Sequence, residues 1–575
     1  MPLRLLSKSY VSILSLPGPP VYGYPAIFSG KEKARGAFDD LLEISAEICY
    51  NTKVLLCETA PAAPAARAYV EMRKEAIDMT SIKLKAEDLR AIRTVDPRLL
   101  SYNVEMTEVT GGTFWKEYTE EEVAGNGKFP MVGFGSKEGL MQVYPPVDLA
   151  DPKLRKLAKD LGSCWIRVSG TWATKTYYDL DGSANGVAPE GFQNVLTREQ
   201  WLGVLDFVKE VGGKLLVSVS NCAGIHSAHE PWHPGQAKQL FDLSREYGVP
   251  IAAAEFMNEP NLLSGSGAPK GYTFDDYIRD QDIFNKWLHE NYPETLAVGP
   301  CSVGGGVMGK MKMEEGLLKL VGKKVGTEKL LIGAKEPMEV FSYHYYNGVS
   351  ERIAAGMSFV HWPAKKAISE EYLDSARYCA VAAAKVRDKY MPGAQMWVTE
   401  SGDAGGGGNT WASTYLDVPR TLNELGVFAT VSDGIIFHNT LASSDYGWLR
   451  HGTFEPRPNY YAVLLWNTLM GTTVYDAEEP IREGAHVYCH SRRDGKEGKA
   501  YLVINNSMTE TTTVELPGEA TVYALTGTAG LRSRTVSLNG RELLLGEDVE
   551  LPDLSGATVS GKVDIAPGGC TFIIL

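Results

Sequence analysis

Between residues 95 and 470, short apolar runs of strand length alternate with longer segments of helical spacing, and this alternation restricts the possible folds more than any other feature. Taking Leu99, Cys164, Lys214, Pro250, Thr295, Met338, Ala394 and Asp433 as strand starts gives eight strands. Helical patterns separate them at 152–161, 197–211, 235–247, 274–290, 314–321, 370–390 and 411–425, with Asp151 and Thr197 placed as N-caps. The apolar runs are continuous rather than alternating, as strands buried on both faces require. Strands joined through helices run parallel, and eight such units predict an α/β chain whose core is a (β/α)8 TIM barrel.

The texture changes after about residue 475. Ala500–Ile504, Thr511–Leu516, Ala520–Leu525, Val536–Leu538 and Cys570–Leu575 are short strands set between Gly, Pro, Asn and Asp, the pattern of a C-terminal all-β sandwich domain. Thr80–Lys85 alternates like an exposed strand and is assigned to the same sandwich. The expected organisation is therefore an extension without an assigned role at 1–79, a sandwich strand at 80–94, a catalytic barrel at 95–470 and a sandwich at 471–575. Within the extension, Pro17–Pro20 and Pro61–Ala66 read as breaker and linker, and Ala37–Ile48 has helical spacing.

A formal net charge of −14 argues against a nucleic-acid partner. No apolar run reaches the roughly 18 residues of a transmembrane segment. The N-terminal run Tyr10–Leu16 is short and stops at Pro17, a poor signal sequence, so the reading is of a soluble chain with its compartment left open. The eight Cys form no CxxC pair, which argues against a zinc ribbon or dithiol redox site. Cys164 and Cys301 sit in or beside apolar strands, where thiols act as small hydrophobes.

Two of the barrel strands end in the same way. Pro250-Ile-Ala-Ala-Ala-Glu-Phe-Met-Asn258-Glu259-Pro260-Asn261 ends strand four, and Ala394-Gln-Met-Trp-Val-Thr399-Glu400-Ser401-Gly402 ends strand seven. The C-terminal ends of barrel strands carry the chemistry, and two carboxylates there are the equipment of a glycosidase. One must hold a proton for the leaving oxygen, and in a retaining enzyme the other attacks the anomeric carbon. Glu259 suits the acid/base, because Asn258 beside it can bond the sugar 2-hydroxyl. Glu400 suits the nucleophile.

In chain order, Asp151–Ala158, Trp165-Ile-Arg-Val-Ser-Gly-Thr171, Met257–Asn261, Tyr343-His-Tyr-Tyr-Asn-Gly348, Trp397–Gly402 with Gly405–Gly408, and Val536–Gly540 form an ordered set. The set resembles glycoside hydrolase family 79, the heparanase and β-glucuronidase family of clan A, over roughly residues 95–575. The resemblance implies a retaining mechanism on β-D-glucuronosyl linkages in an oligo- or polysaccharide or a glycoconjugate, with no cofactor and no metal. It implies that Tyr345 hydrogen-bonds the nucleophile. Gly406 and Gly407 of the glycine run would bind the uronate carboxylate through backbone N–H groups, helped by Tyr446, while Glu105, Thr171 and His344 complete the substrate-binding set. Relatives that cut sulfated polymers carry basic clusters, and the acidic balance here speaks against electrostatic steering of such a chain. The alternatives are a clan A glycosidase for neutral sugars and a carbohydrate-binding protein without turnover.

His229-Glu-Pro-Trp-His233 fits the H-E-x-x-H zinc pattern, but Pro231 breaks the helix that such a site needs. His226, His229 or Trp232 is instead expected along the sugar site. Asn505-Asn-Ser507 matches a glycosylation sequon.

Overall fold

A computed structural model describes residues 81–127, 129, 139–303, 326–354 and 361–575, with Ser264 by its backbone alone. The helical patterns at 37–48 and 314–321 fall outside the described residues.

The barrel strands are β1 (Leu100–Glu105), β2 (Trp165–Ser169), β3 (Lys214–Ser218), β4 (Ile251–Glu255), β5 (Leu296–Val303), β6 (Val340–Tyr346), β7 (Gln395–Gly402) and β8 (Ile436–His438). Each pairs in parallel with its chain neighbour, and β8 pairs with β1, so the sheet closes. The helices outside are α1 (Pro152–Asp160), α2 (Arg198–Glu210), α3 (Gly235–Tyr247), α4 (Phe274–Asn291), α5 (Glu370–Tyr390), α6 (Val418–Val431) and α7 (Pro458–Leu469). Asp151 caps α1 by accepting from two backbone N–H groups, and Thr197 forms a capping box with Gln200 at the start of α2.

Two helices depart from the sequence reading. The pattern at 411–425 begins too early. Tyr415–Asp417 is a 3-10 turn capped by Thr414, and α6 starts only at Val418, where Pro419 takes a first-turn position that needs no N–H. Helix α7 was not expected, because it is apolar all round and shows no amphipathic period.

Alternate residues of each strand point into the barrel. At the N-terminal end, Trp165, Leu216, Ala253, Val340, Trp397 and Phe437 close it with a fully apolar cluster. One step up, the interior turns polar at Arg167 and Glu255, both wholly buried.

Ten further strands build a mostly antiparallel sheet, and Gly112–Trp115 with Met141–Tyr144 and Thr176–Asp179 with Asn194–Thr197 form two short two-stranded sheets. Thr511–Leu516 and Ala520–Leu525 are not separate strands. They form one strand, Thr512–Gly527, in which Pro517 and Gly518 fall in a register shift between Glu515 and Glu519 rather than ending the ladder. Its first half pairs with Ser81–Lys83 and its second half with Cys570–Ile574. Ile82, Val487, Val503, Val514, Val522 and Ile573 from these strands pack into a core of their own. His486–Arg492 and Ala557–Ile565 were not read from sequence. The second is largely solvent-exposed and has no apolar stripe.

Candidate active site

Glu259 stands four residues beyond the end of β4 and begins the 3-10 turn Pro260–Leu262. Its backbone is left-handed, with φ of 46°, a conformation that costs a non-glycine residue about 1–3 kcal/mol. The surrounding motif holds it there. The Glu259 N–H donates to Cys301 O at 3.1 Å. Asn261 clasps the backbone of Val303 at the end of β5 from both sides, accepting from its N–H and donating to its carbonyl. Asn258 accepts from Arg167 Nη2 at 2.7 Å, which leaves its amide N–H groups as the end to offer a substrate hydroxyl.

Glu400 lies within β7. The β6–β7 ladder slips between Tyr343 and His344, so that Tyr343 faces Val398 and His344 faces Glu400. Such a bulge beside a site re-aims the side chains that follow it. Glu400 accepts from Arg167 Nη1 at 3.0 Å and from Tyr346 Oη at 2.8 Å. Its side chain is 7% exposed, against 19% for Glu259. His344 Nδ1 lies 2.9 Å from Glu259 Oε1 and 3.4 Å from Glu400 Oε2, and carboxylate oxygens of the two glutamates come within 4.8 Å of one another.

Burial alone would push the Glu400 carboxyl up, but His344 and Arg167 outweigh it and hold the group below the ordinary carboxylate range. Glu105, at the end of β1, goes the other way. Burial and then repulsion by Glu400 push it well up, and its Oε2 has no hydrogen-bond partner among the described residues. The site thus holds one carboxylate stabilised as the anion and another strongly disfavoured as one. Glu259, His344 and Glu400 are close enough to share a cation, but the fixed guanidinium of Arg167 beside Glu400 and His344 opposes one.

Glu105, Glu259 and Glu400 face a cleft of about 330 Å³. Of the residues singled out in the sequence, Glu105, Thr171, Asn258, Glu259, Glu400, Gly406 and Tyr446 line it. Gly407 sits one residue behind, its carbonyl accepting from Ser444 Oγ. Gly406, Gly407 and Gly408 have φ of 96°, 89° and 84°, and a Cβ on Gly407 would meet Trp115 Cβ at 2.6 Å, so this backbone path is open only to glycine. The N–H of Gly405 is bonded to Gly348 O and that of Gly408 to Ala404 O, whereas Gly406 and Gly407 have no backbone partner for theirs among the described residues.

Three sequence readings need correction. Tyr345 does not reach the nucleophile. Strand alternation sends it outward, where its hydroxyl bonds Ser375 and its ring packs on Phe428, while Tyr346 points inward to Glu400. His344 does not line the cleft. It is fully buried behind the two glutamates and links them. His226, His229 and Trp232 lie away from the sugar cleft. Trp232 packs on Phe256, Phe284 and Trp287, His229 is exposed, and His226 bonds Asn221 Oδ1 and Glu230 O. The sequon asparagine is unavailable too: Asn505 is buried, with Nδ2 donating to Glu510 O and Ile565 O. The six described cysteines are buried free thiols.

No family model matches the chain. Curated relatives do. Heparanase-like protein 1 of Arabidopsis thaliana is 25% identical over 483 residues, covering 75% of this chain and 85% of that protein. Hyaluronoglucuronidase of Hirudo nipponia is also 25% identical over 483 residues, covering 75% of this chain and 90% of its own length. Over three quarters of its length the chain is similar to the heparanase family of glycoside hydrolases. Among solved structures, a 4-O-α-L-rhamnosyl-β-D-glucuronidase from Fusarium oxysporum shares the fold, with a TM-score of 0.56 at 12% identity over 86% of this chain and 100% of that one.

Within this heparanase-like barrel, the sequence reading overlooked two groups. Arg167 touches Glu255, Asn258 and Glu400 at once, and the available signal was an arginine in the middle of the apolar strand Trp165-Ile-Arg-Val-Ser169. Such a charge survives only if paired. Asn439 donates to the hydroxyls of both Tyr346 and Tyr446. Nothing local distinguishes it from a loop asparagine.

Proposed function

We propose that the chain hydrolyses β-D-glucuronosyl linkages with retention of configuration, Glu259 serving as acid/base and Glu400 as nucleophile. The observation that carries this reading is the close approach of the two carboxylates, with oxygens within 4.8 Å. Retaining glycosidases place the pair about 5–5.5 Å apart, whereas inverting enzymes leave about 6.5–9.5 Å for a water. The more exposed Glu259 gives its proton to the glycosidic oxygen as the bond to the anomeric carbon breaks. Glu400, kept ionised by His344, Arg167 and Tyr346, attacks that carbon and forms an ester. Glu259, now a carboxylate, takes a proton from water, which attacks the same carbon and releases Glu400.

The uronate assignment rests on the N–H groups of Gly406 and Gly407, which form an anion-binding backbone beside Tyr446. It agrees with the printed name of the Hirudo nipponia relative, a hyaluronoglucuronidase. The test is hydrolysis of an aryl β-D-glucuronide beside the matching glucoside and xyloside, with Glu400→Gln as control. Release from the glucuronide alone, abolished in the variant, is expected. A labelled Glu400 peptide after treatment with an activated 2-deoxy-2-fluoro-glucuronide would establish the covalent step. Release mainly from a neutral sugar would overturn the uronate assignment.

A further inference from the structure

Four of the eight loops at the mouth of the barrel meet at one buried acid, Asp445. Its carboxylate accepts from Tyr118 N at 3.2 Å and from Arg352 Nη2 at 2.9 Å. Its own N–H donates to Gly407 O at 3.3 Å. Arg352 in turn donates to Lys116 O and lies 3.7 Å from the centre of the Tyr118 ring, and the Tyr118 hydroxyl donates to Gly408 O at 3.0 Å. Asp445 and Arg352 are 2% and 3% exposed. From the outer side, Arg457 Nη1 donates to the carbonyls of Ser444, Asp445 and Gly447.

The tie therefore joins the loop after β1, which carries Trp115, the loop after β6, which carries Ile353, the glycine run after β7, and the loop after β8, which carries Tyr446. Each of these loops lines the cleft, and two of them supply the anion-binding side. Glu259 sits on the β4 side and Glu400 within β7, and the contacts of Asp445 reach neither. Removing the tie should free the groups that hold the substrate's carboxylate while leaving the reacting pair in place.

We propose that the Asp445–Arg352 pair, closed over Tyr118, is a positioning device that fixes Gly406, Gly407 and Tyr446 for the uronate and so sets the preference for glucuronides over neutral sugars. The proposal rests on the glucuronidase reading above. A buried charge-assisted pair that is merely structural would alter stability and leave substrate preference alone. One that positions the anion site must change preference.

The experiment compares wild type with Asp445→Asn and Arg352→Lys, and uses Tyr460→Phe as a control that loses only a buried hydrogen bond to Leu157 O between α1 and α7. Assays run at pH 7.5, where Asp445, pushed up to about 6 by burial, is ionised. Asp445→Asn should raise KM for an aryl β-D-glucuronide about tenfold with kcat within about threefold, the signature of lost uniform binding. The glucuronide-to-glucoside ratio of kcat/KM should fall about tenfold. Arg352→Lys, which keeps the charge but not the fork, should fall between, and Tyr460→Phe should leave the ratio unchanged.

Hydrogen exchange of residues 405–408 and 443–447 tests the tie without any substrate, and it should quicken in Asp445→Asn. Unaltered exchange overturns the tie whatever the activity. Quicker exchange with unchanged KM and ratio overturns the specificity role. Quicker exchange in a protein whose wild type ignores glucuronides retires the glucuronidase reading and leaves the tie standing.

Discussion

Tyr345 and Tyr346 are neighbours in sequence and face opposite sides of one strand, so replacing each by Phe separates a site residue from a packing residue with the same chemical change. Tyr346→Phe deletes a 2.8 Å hydrogen bond from a buried hydroxyl to the Glu400 carboxylate. A hydrogen bond to a charged group is worth about 1.5–3 kcal/mol. At about 1.36 kcal/mol per factor of ten, this predicts a loss of roughly 10- to 150-fold in kcat/KM. The same bond helps keep Glu400 ionised, so the acid limb of the pH–rate profile should move to higher pH in the variant. Tyr345→Phe deletes a neutral bond to Ser375 Oγ, a group that still receives Asn347 Nδ2, and should cost about 0.5–1.5 kcal/mol of stability with activity intact. The assay is steady-state hydrolysis of an aryl β-D-glucuronide from pH 4 to 8, with urea unfolding of each variant. A tenfold loss in Tyr345→Phe beside a near-normal Tyr346→Phe would refute the inward placement of Tyr346 and the assignment of Glu400 built on it.

Glu259→Gln should lower kcat by roughly 10²- to 10⁴-fold on a poor leaving group and far less on a dinitrophenyl glucuronide, because only the first needs its proton. Equal losses on both would argue against an acid role. Gly407→Ala should destabilise far more than Gly452→Ala. Both glycines have positive φ, but only Gly407 would press a Cβ against Trp115, and thermal melting of the pair tests this. Burial pushes the carboxyls of Glu108 and Glu424 up to about 7. Groups raised in the folded state contribute stability that is full below the ordinary value of 4.5 and lost as pH rises through 7. The melting temperature should accordingly fall between pH 5 and pH 7.5, and Glu108→Gln together with Glu424→Gln should flatten that slope.

The barrel was legible because burial on both faces leaves strands such as Leu296–Val303, and Leu215–Ser218 within the third strand, as uninterrupted apolar or small-residue runs. The half-exposed strands of the C-terminal sheet left a weaker trace. Pro517 and Gly518 read as a break although the strand carries through them. At the site, Glu259 and Glu400 were visible because each ends an apolar run. Which of two adjacent tyrosines faces Glu400 was not, since it turns on a one-residue slip that pairing between β6 and β7 decides. Arg167, Asn439 and Asp445 act through partners remote in sequence, at separations of 233, 93 and 327 residues for Glu400, Tyr346 and Tyr118, and no local pattern announces such contacts.

The apolar cluster at the N-terminal end of the barrel has a bearing on proton traffic. Trp165, Leu216 and Trp397, each at most 4% exposed, shut off the interior below Arg167 and Glu255. Among the described residues this plug closes the N-terminal end of the barrel, which leaves the mouth through which the sugar enters as the route for water to Glu259 and Glu400. On the assignment proposed here, an occupied cleft blocks its own supply line. The proton used to cleave the bond must already be on Glu259 when the substrate arrives, and the water that completes the turnover can enter only once the leaving group has cleared the way.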